Sequence, residues 1–98
     1  MSESQIHVPD SFLALFQPGA GRRLTEPWHH ILARYESCED LAQGLAPQAR
    51  ALVADLGVTP DLVATKMASG LEHPSVGLAP EEAQWVCTRL VELLEHGL

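Results

Sequence analysis

The chain has 98 residues, of which 46% are hydrophobic and 19% charged, so it is expected to fold rather than stay disordered. Its 13 acidic and 6 basic side chains give a formal net charge of −7, which excludes nucleic acid and anionic membrane surfaces as expected partners. Cys38 and Cys87 stand alone in helix-like stretches, which predicts buried free thiols and a cytoplasmic location.

The N-terminal stretch MSESQIHVPD has no basic segment followed by an apolar run, so no secretory leader is expected. Residues 1–8 are predicted to be frayed. Pro9 and Asp10 provide a helix start, and residues 9–17 are predicted to form a short helix. Pro18 and Gly19 end that helix, so residues 18–25 are predicted to be a hinge loop.

Residues 26–56 are predicted to form one long helix. Their apolar residues alternate steps of three and four in a single phase: Trp28, Ile31, Tyr35, Cys38, Ala42, Leu45, Ala49, Leu52 and Leu56. Gly44 and Pro47 disfavour a helix, but an intervening loop would scramble that phase. The pattern therefore favours a helix kinked near Gly44 to Pro47, and two helices meeting at a tight corner remain the alternative.

Gly57 is a suitable residue to end this helix, and further helices are predicted over 60–72 and 80–96 with a loop at His73 to Gly77. No segment has strand alternation bounded by hairpin turns. The sequence therefore predicts a single all-α domain over residues 1–98, built as a small helical bundle.

The long helix raises the question of self-association. A helix of about 31 residues extends about 45 Å, so the shorter helices must lie against it end to end or leave part of its stripe bare. Ala42 and Ala49 are small and allow a second helix to approach closely. A homodimer is predicted, with a monomer whose own helices cover the stripe as the open alternative.

The run FQPGAGRRLTEP is glycine-rich and basic, but it is not a Walker loop. Gly19 and Gly21 are too close together, no lysine follows them, and no strand precedes them. Arg22, Arg23 and Thr25 precede a predicted helix N-terminus, where N–H groups and guanidinium groups can hold an anion. The run is thus a candidate anion site at Gly19, Gly21, Arg22, Arg23 and Thr25, or simply a hinge.

Metal and nucleophilic chemistry have little support in the sequence. Glu26 and His29, with His30, resemble half of a carboxylate-bridged metal site, but no matching half occurs elsewhere. Cys38 lies among Glu36, Glu39 and Asp40, whose charge raises a thiol pKa. We expect no cofactor and no bound metal, and the sequence leans away from an enzyme.

Three features are candidate protein-contact surfaces. Phe12 and Phe16 form an apolar pair that either covers the core or detaches to dock into a groove. The acidic residues Glu36, Glu39 and Asp40 are either a solvated face, paired with Arg34 or the loop arginines, or a surface for a basic partner. Trp85, beside the core face of the last helix, is a candidate rim residue of an interface.

Three stretches, VPDSFLALFQPGAGRRLT, ARYESCEDLAQGL and EEAQWVCTRLVELL, resemble a family of small helical proteobacterial proteins described as "ATPase with chaperone activity". The resemblance covers nearly the whole chain. It implies a chaperone-like function, but this sequence lacks a Walker A loop and an acidic strand end for magnesium. No catalytic residue is carried over.

Taken together, these features predict a non-enzymatic helical protein-interaction module that self-associates and binds an unidentified protein partner. Two alternatives remain open. One is a nucleotide- or anion-responsive chaperone-like protein that uses the Gly-Arg loop. The other is a metal-binding helical enzyme that uses Glu26, His29 and His30.

Overall fold

The computed structural model describes residues 7–17 and 23–96. Those residues form four α-helices and two 3₁₀ turns and no strand, which confirms the predicted all-α fold class. Helix α1 is Asp10–Leu13 and continues into a 3₁₀ turn at Ala14–Phe16. Helix α2 is Trp28–Leu56, α3 is Pro60–Leu71, a second 3₁₀ turn is Pro74–Val76, and α4 is Pro80–Glu95.

The chain divides into two compact units, Met1–Ser37 and Cys38–Leu98, with the division inside α2. In the first unit Phe12 is fully buried. Its ring centroid lies 5.6 Å from that of Phe16 and 5.5 Å from that of Tyr35, which it meets edge-on. Val8 and Ile31 are buried as well. Apolar contacts within the unit therefore involve both phenylalanines that follow Pro9.

Helix α2 begins slightly later than the predicted start at Glu26. The carbonyl of Pro27 accepts hydrogen bonds from the N–H groups of His30 at 3.0 Å and Ile31 at 3.1 Å, so Pro27 occupies the N-cap position. A proline disfavours helical backbone in the residue before it. Glu26 therefore cannot readily start the helix, and the first helical residue is Trp28.

Helix α2 runs through Gly44 and Pro47 without interruption, so the structure has one long helix where the alternative was two. Pro47 has no N–H to donate to the carbonyl of Gln43. Gln43, Gly44 and Pro47 are all exposed, so this face of the helix is open to water. The proline thus lies on the face of the helix where its missing hydrogen bond costs least. The kink stays a prediction.

In the second unit the buried stripe of α2 consists of small side chains. Ala42 and Ala49 are fully buried and Ala46 is 4% exposed. The later helices supply larger buried residues: Val63, Leu71, Trp85, Val86, Leu90 and Leu93. Small residues facing large ones allow close helix packing. Because Ala42 and Ala49 are covered within the chain, they do not form the bare seam on which the homodimer was predicted.

The two ends of the predicted stripe differ from its middle. Trp28 is 49% exposed and Leu56 is 65% exposed, so the apolar stripe is not covered at its two ends. Leu62 of α3 is 45% exposed. Helix α2 has 29 residues and spans about 44 Å, whereas α4 has 16 and spans about 24 Å. Helix α4 by itself is therefore too short to cover the whole apolar stripe of α2.

A tight corner joins α2 to α3. Gly57 adopts a left-handed φ of 65°, and its N–H donates to the carbonyl of Val53 at 3.0 Å. Thr59 then caps α3, where its Oγ1 accepts a hydrogen bond from the N–H of Leu62 at 3.3 Å. These two residues end one helix and start the next within a few positions, as the sequence predicts for Gly57.

The connection from α3 to α4 is also ordered by local hydrogen bonds. The Nδ1 atom of His73 accepts from the N–H of Ser75 at 3.2 Å, and Gly77 turns the chain with a φ of 81°. At the start of α4 the carboxylate of Glu82 accepts from the N–H of Ala79 at 3.0 Å. This is the Glu half of a capping box, since alanine has no side-chain oxygen to complete it.

Candidate functional site

The candidate anion site is only partly described by the structure. Gly19, Gly21 and Arg22 lie outside the described residues, and Arg23 is exposed. The N–H of Thr25 donates to the carbonyl of Phe16 at 2.7 Å, so it is not available to an anion. Thr25 lies two residues before Pro27, the N-cap of α2. Arg23 and Thr25 are the two of the five predicted residues that the structure describes, and both are exposed.

The metal candidates are exposed but do not form a cluster. Glu26, His29 and His30 are all on the surface, and the ring of His30 lies 6.4 Å from that of Phe16. Across residues 7–17 and 23–96, no three His, Cys, Asp or Glu side chains come together in a group that could hold a metal ion. The Glu26 and His29 half-motif therefore gains no second half from the described part of the fold.

Two of the candidate contact residues have little surface to offer. Phe12 is fully buried, and Trp85 is 8% exposed although it was predicted at the rim of an interface. Phe16 is half-buried beside Phe12. Trp85 belongs to the same buried face of α4 as Val86, so its indole contributes to the core of the second unit.

The acidic residues on α2 separate into exposed and paired carboxylates. Glu36 and Asp40 are exposed. Glu39 instead accepts two hydrogen bonds from Arg89 of α4, from Nε to Oε1 at 2.8 Å and from Nη2 to Oε2 at 3.0 Å. The amide of Gln43 donates to the same Oε2 at 2.8 Å. Glu39 thus links α2 to α4. Its partner Arg89 is remote in sequence, whereas the sequence analysis suggested Arg34 or the loop arginines.

This pairing changes the ionisation of both groups. Burial by itself raises the pKa of Glu39, but the hydrogen bonds from Arg89 and Gln43 and the charge of Arg89 outweigh it, so the pKa is lowered overall. The hydrogen bond with Glu39 is the largest cause of the raised pKa of Arg89, and Arg89 Nη1 also donates to Glu92 Oε1 at 3.2 Å. Both side chains are firmly charged at neutral pH.

An exposed apolar surface occurs at the turn between α2 and α3. We call it the apolar corner and define it as Leu56, Val58 and Leu62. Leu56 is 65% exposed and Leu62 is 45% exposed, while Val58 is half-buried. The leucines flank the short connection between the helices, so they lie at the same end of the pair. Isolated exposed leucines are common, but two large exposed apolar side chains at the same end of a helix pair are a candidate contact surface.

A groove of about 450 Å³ lies between α3 and α4. We call it the α3–α4 groove. Eight small or polar residues line it: Thr65, Ala68 and Ser69 of α3, Glu72 directly after α3, and Pro80, Glu81, Gln84 and Cys87 of α4. The spacing within each set is that of one helix face. Both of its charged residues are acidic.

The thiol in the groove is a weak nucleophile. Burial raises the pKa of Cys87, and the negative charge of Asp61 raises it further. Cys87 is a free cysteine, as is the fully buried Cys38. Cys87 therefore stays protonated at neutral pH and behaves as a small apolar group rather than as a reactive thiolate.

The groove and the apolar corner were not predicted from the sequence. Thr65, Ala68, Ser69 and Glu72 do recur at helical spacing on one side of α3, and that small, polar stripe was the available signal. The corner was missed because Leu56 and Leu62 fit the apolar phase of their helices. Their exposure depends on how far the neighbouring helices reach, which the local pattern does not contain.

No family model, curated protein or solved structure matches the chain. The resemblance to the proteins described as "ATPase with chaperone activity" therefore stays a prediction. Within the described ranges, no helix combines the length and the apolar character that crossing a membrane would require.

Proposed function

We propose that the chain is a non-enzymatic helical protein-interaction module that self-associates through the apolar corner. The observation that carries this proposal is the exposure of Leu56 and Leu62 on either side of the α2–α3 turn. A two-fold contact sets the same surface of each copy against the other. Leucines at the centre of such a contact would meet leucines, which is favourable without any further adaptation.

The size of the corner limits the strength of the association. Full burial of a leucine contributes roughly 1.5–3 kcal/mol. Leu56 and Leu62 are already partly covered, so four such side chains in a symmetric contact contribute on the order of 5 kcal/mol. A contact confined to them binds no tighter than a Kd of about 0.1–1 mM. The proposal therefore describes a weak, transient dimer.

Sedimentation velocity over a wide concentration range tests this proposal. From about 10 μM to about 1 mM, the weight-average mass is expected to rise above the monomer mass of 10.7 kDa. The Leu56→Ser/Leu62→Ser variant is expected to stay at the monomer mass throughout. Both leucines are exposed, so these substitutions should leave the fold largely intact.

Val76→Ser is the matched control. Val76 is 40% exposed in the second 3₁₀ turn, outside the apolar corner, so its loss should leave the association unchanged. A monomer mass for the unmodified chain at every concentration contradicts self-association. Equal association of the unmodified chain and the Leu56→Ser/Leu62→Ser variant contradicts the role of the corner.

A further inference from the structure

We propose that the α3–α4 groove binds a cationic segment of a protein partner, namely a peptide stretch that carries lysine or arginine. The inference goes beyond self-association, because the groove shares no residue with the apolar corner. It rests on the charge in and beside the groove, on the apolar groups in its lining, and on its volume.

Negative charge occurs in the lining of the groove and close to it. Glu72 follows the last residue of α3 and Glu81 lies in the first turn of α4, so the short connection places both at the same end. Asp61 is in the first turn of α3, and its charge acts on Cys87 of the groove lining. Asp61 and Glu72 are separated by about 16 Å along the helix axis.

The carboxylates at the connection end are available to a ligand. Glu72 and Glu81 are exposed, and neither forms an ion pair with any residue of the described ranges. The eight lining residues include no lysine, arginine or histidine. The groove thus presents uncompensated negative charge, and the complementary ligand is a cation.

The surface between the charges suits the stem of a long basic side chain. Ala68, Pro80 and the protonated thiol of Cys87 are apolar groups within the lining. Lysine and arginine bury their methylene stems on such surfaces while the charged head reaches a carboxylate. A guanidinium or ammonium group at the connection end would then have both an apolar contact and an ionic partner.

The dimensions favour a peptide over a single ion. The volume of about 450 Å³ falls within the roughly 300–1,000 Å³ that ligand pockets occupy. A metal ion needs several ligands close together, and no such group of His, Cys, Asp or Glu side chains occurs in the described ranges. An extended peptide covers about 16 Å in about five residues, so two cations at that spacing could reach both Glu72 and Asp61.

Amide-resolved NMR with a blocked hexalysine peptide tests the proposal. Saturable shifts are expected at Thr65, Ser69 and Gln84, with no comparable shifts from a blocked hexaglutamine peptide. The Glu72→Gln/Glu81→Gln variant should lose about fivefold in affinity, since each exposed ion pair contributes roughly 0.5 kcal/mol. A peptide of this kind stands for the basic segment of the partner.

Two variants separate binding in the groove from general attraction to an acidic chain. Glu36→Gln/Asp40→Asn removes the same number of charges from exposed positions of α2 and should change the affinity by less than about twofold. Ala68→Gln places a longer side chain in the groove with no change of charge, and it should abolish the shifts. Thermal unfolding of each variant verifies that it is folded.

Three outcomes overturn the proposal: no saturable shifts in the groove, equal loss of affinity in both charge variants, or unchanged binding by Ala68→Gln. Repeating the titration with the Leu56→Ser/Leu62→Ser variant keeps the two surfaces apart. Hexalysine binding should be unaltered in that variant. The proposal for the groove and the proposal for self-association can therefore be contradicted independently of each other.

Discussion

Glu39 and Arg89 are far apart in the chain, and their side chains meet between α2 and α4 with two hydrogen bonds. The side chain of Glu39 is 18% exposed and that of Arg89 is 31% exposed. Water screens such a pair less than a fully exposed one. The two hydrogen bonds from the planar guanidinium group to the carboxylate are a favourable geometry. We infer that this contact stabilises the packing of α4 on the second half of α2.

Replacing Glu39 with glutamine tests that inference through its dependence on pH. The folded-state pKa of Glu39 is lowered from 4.5, so its ionic contribution is complete above that value and is lost as the pH falls through the lower folded value. At about pH 7, Glu39→Gln should lower the free energy of unfolding by about 1–2 kcal/mol. At about pH 3 or below, this difference should shrink. Urea denaturation at both pH values measures it.

Glu36→Gln is the control for this experiment. Glu36 is exposed on the same helix, and its substitution should change the free energy of unfolding by less than about 0.5 kcal/mol at either pH. A loss caused by Glu39→Gln that is the same at both pH values would show that the ionised carboxylate is not what stabilises the fold.

At the scale of the helices, replacing glycine with alanine is expected to change the stability in opposite directions at Gly44 and at Gly57. Gly44 lies in the interior of α2, and an added Cβ would meet no atom within 4 Å. Gly44→Ala should therefore raise the free energy of unfolding by about 0.5–1 kcal/mol. Gly57 has a φ of 65°, so Gly57→Ala should lower it by about 1–2 kcal/mol.

Urea denaturation of the two alanine variants measures this contrast, and each variant controls for the other. A loss of stability in Gly44→Ala would mean that the flexibility of α2 near Pro47 is required for its packing. Equal stability of Gly57→Ala and the unmodified chain would mean that the turn between α2 and α3 does not need its left-handed backbone.

Local patterns were sufficient to predict the all-α fold class. Ile31, Cys38, Ala42 and Ala49 are buried as their spacing predicted, and α2 continues through Pro47 as the unbroken apolar phase predicted. The spacing of apolar side chains is contained in a short window of sequence, so it can be interpreted without tertiary information.

Features that depend on separate helices could not be predicted in this way. The exposure of Trp28 and Leu56 depends on where neighbouring elements end, and the partner of Glu39 comes from another helix. The α3–α4 groove likewise requires two helix faces to be placed side by side. Its small polar residues look like ordinary surface when each helix is considered alone.

At the scale of the whole molecule, the net charge of −7 acts in opposite directions on the two proposed contacts. Two copies of the chain repel each other, whereas a cationic peptide is attracted. Salt screens both interactions, with a Debye length of about 10 Å at 0.1 M and about 3 Å at 1 M. The burial of leucine at the apolar corner does not depend on that screening.

The two affinities should therefore change in opposite directions when the salt concentration rises from about 20 mM to about 0.5 M. Self-association measured by sedimentation should strengthen, because repulsion is screened while apolar burial remains. Hexalysine binding measured by NMR should weaken by about tenfold, since its ion pairs are lost. Self-association that weakens with salt would assign the dimer to ionic contacts instead of the leucines. Peptide binding that is insensitive to salt would remove the role given to Glu72 and Glu81.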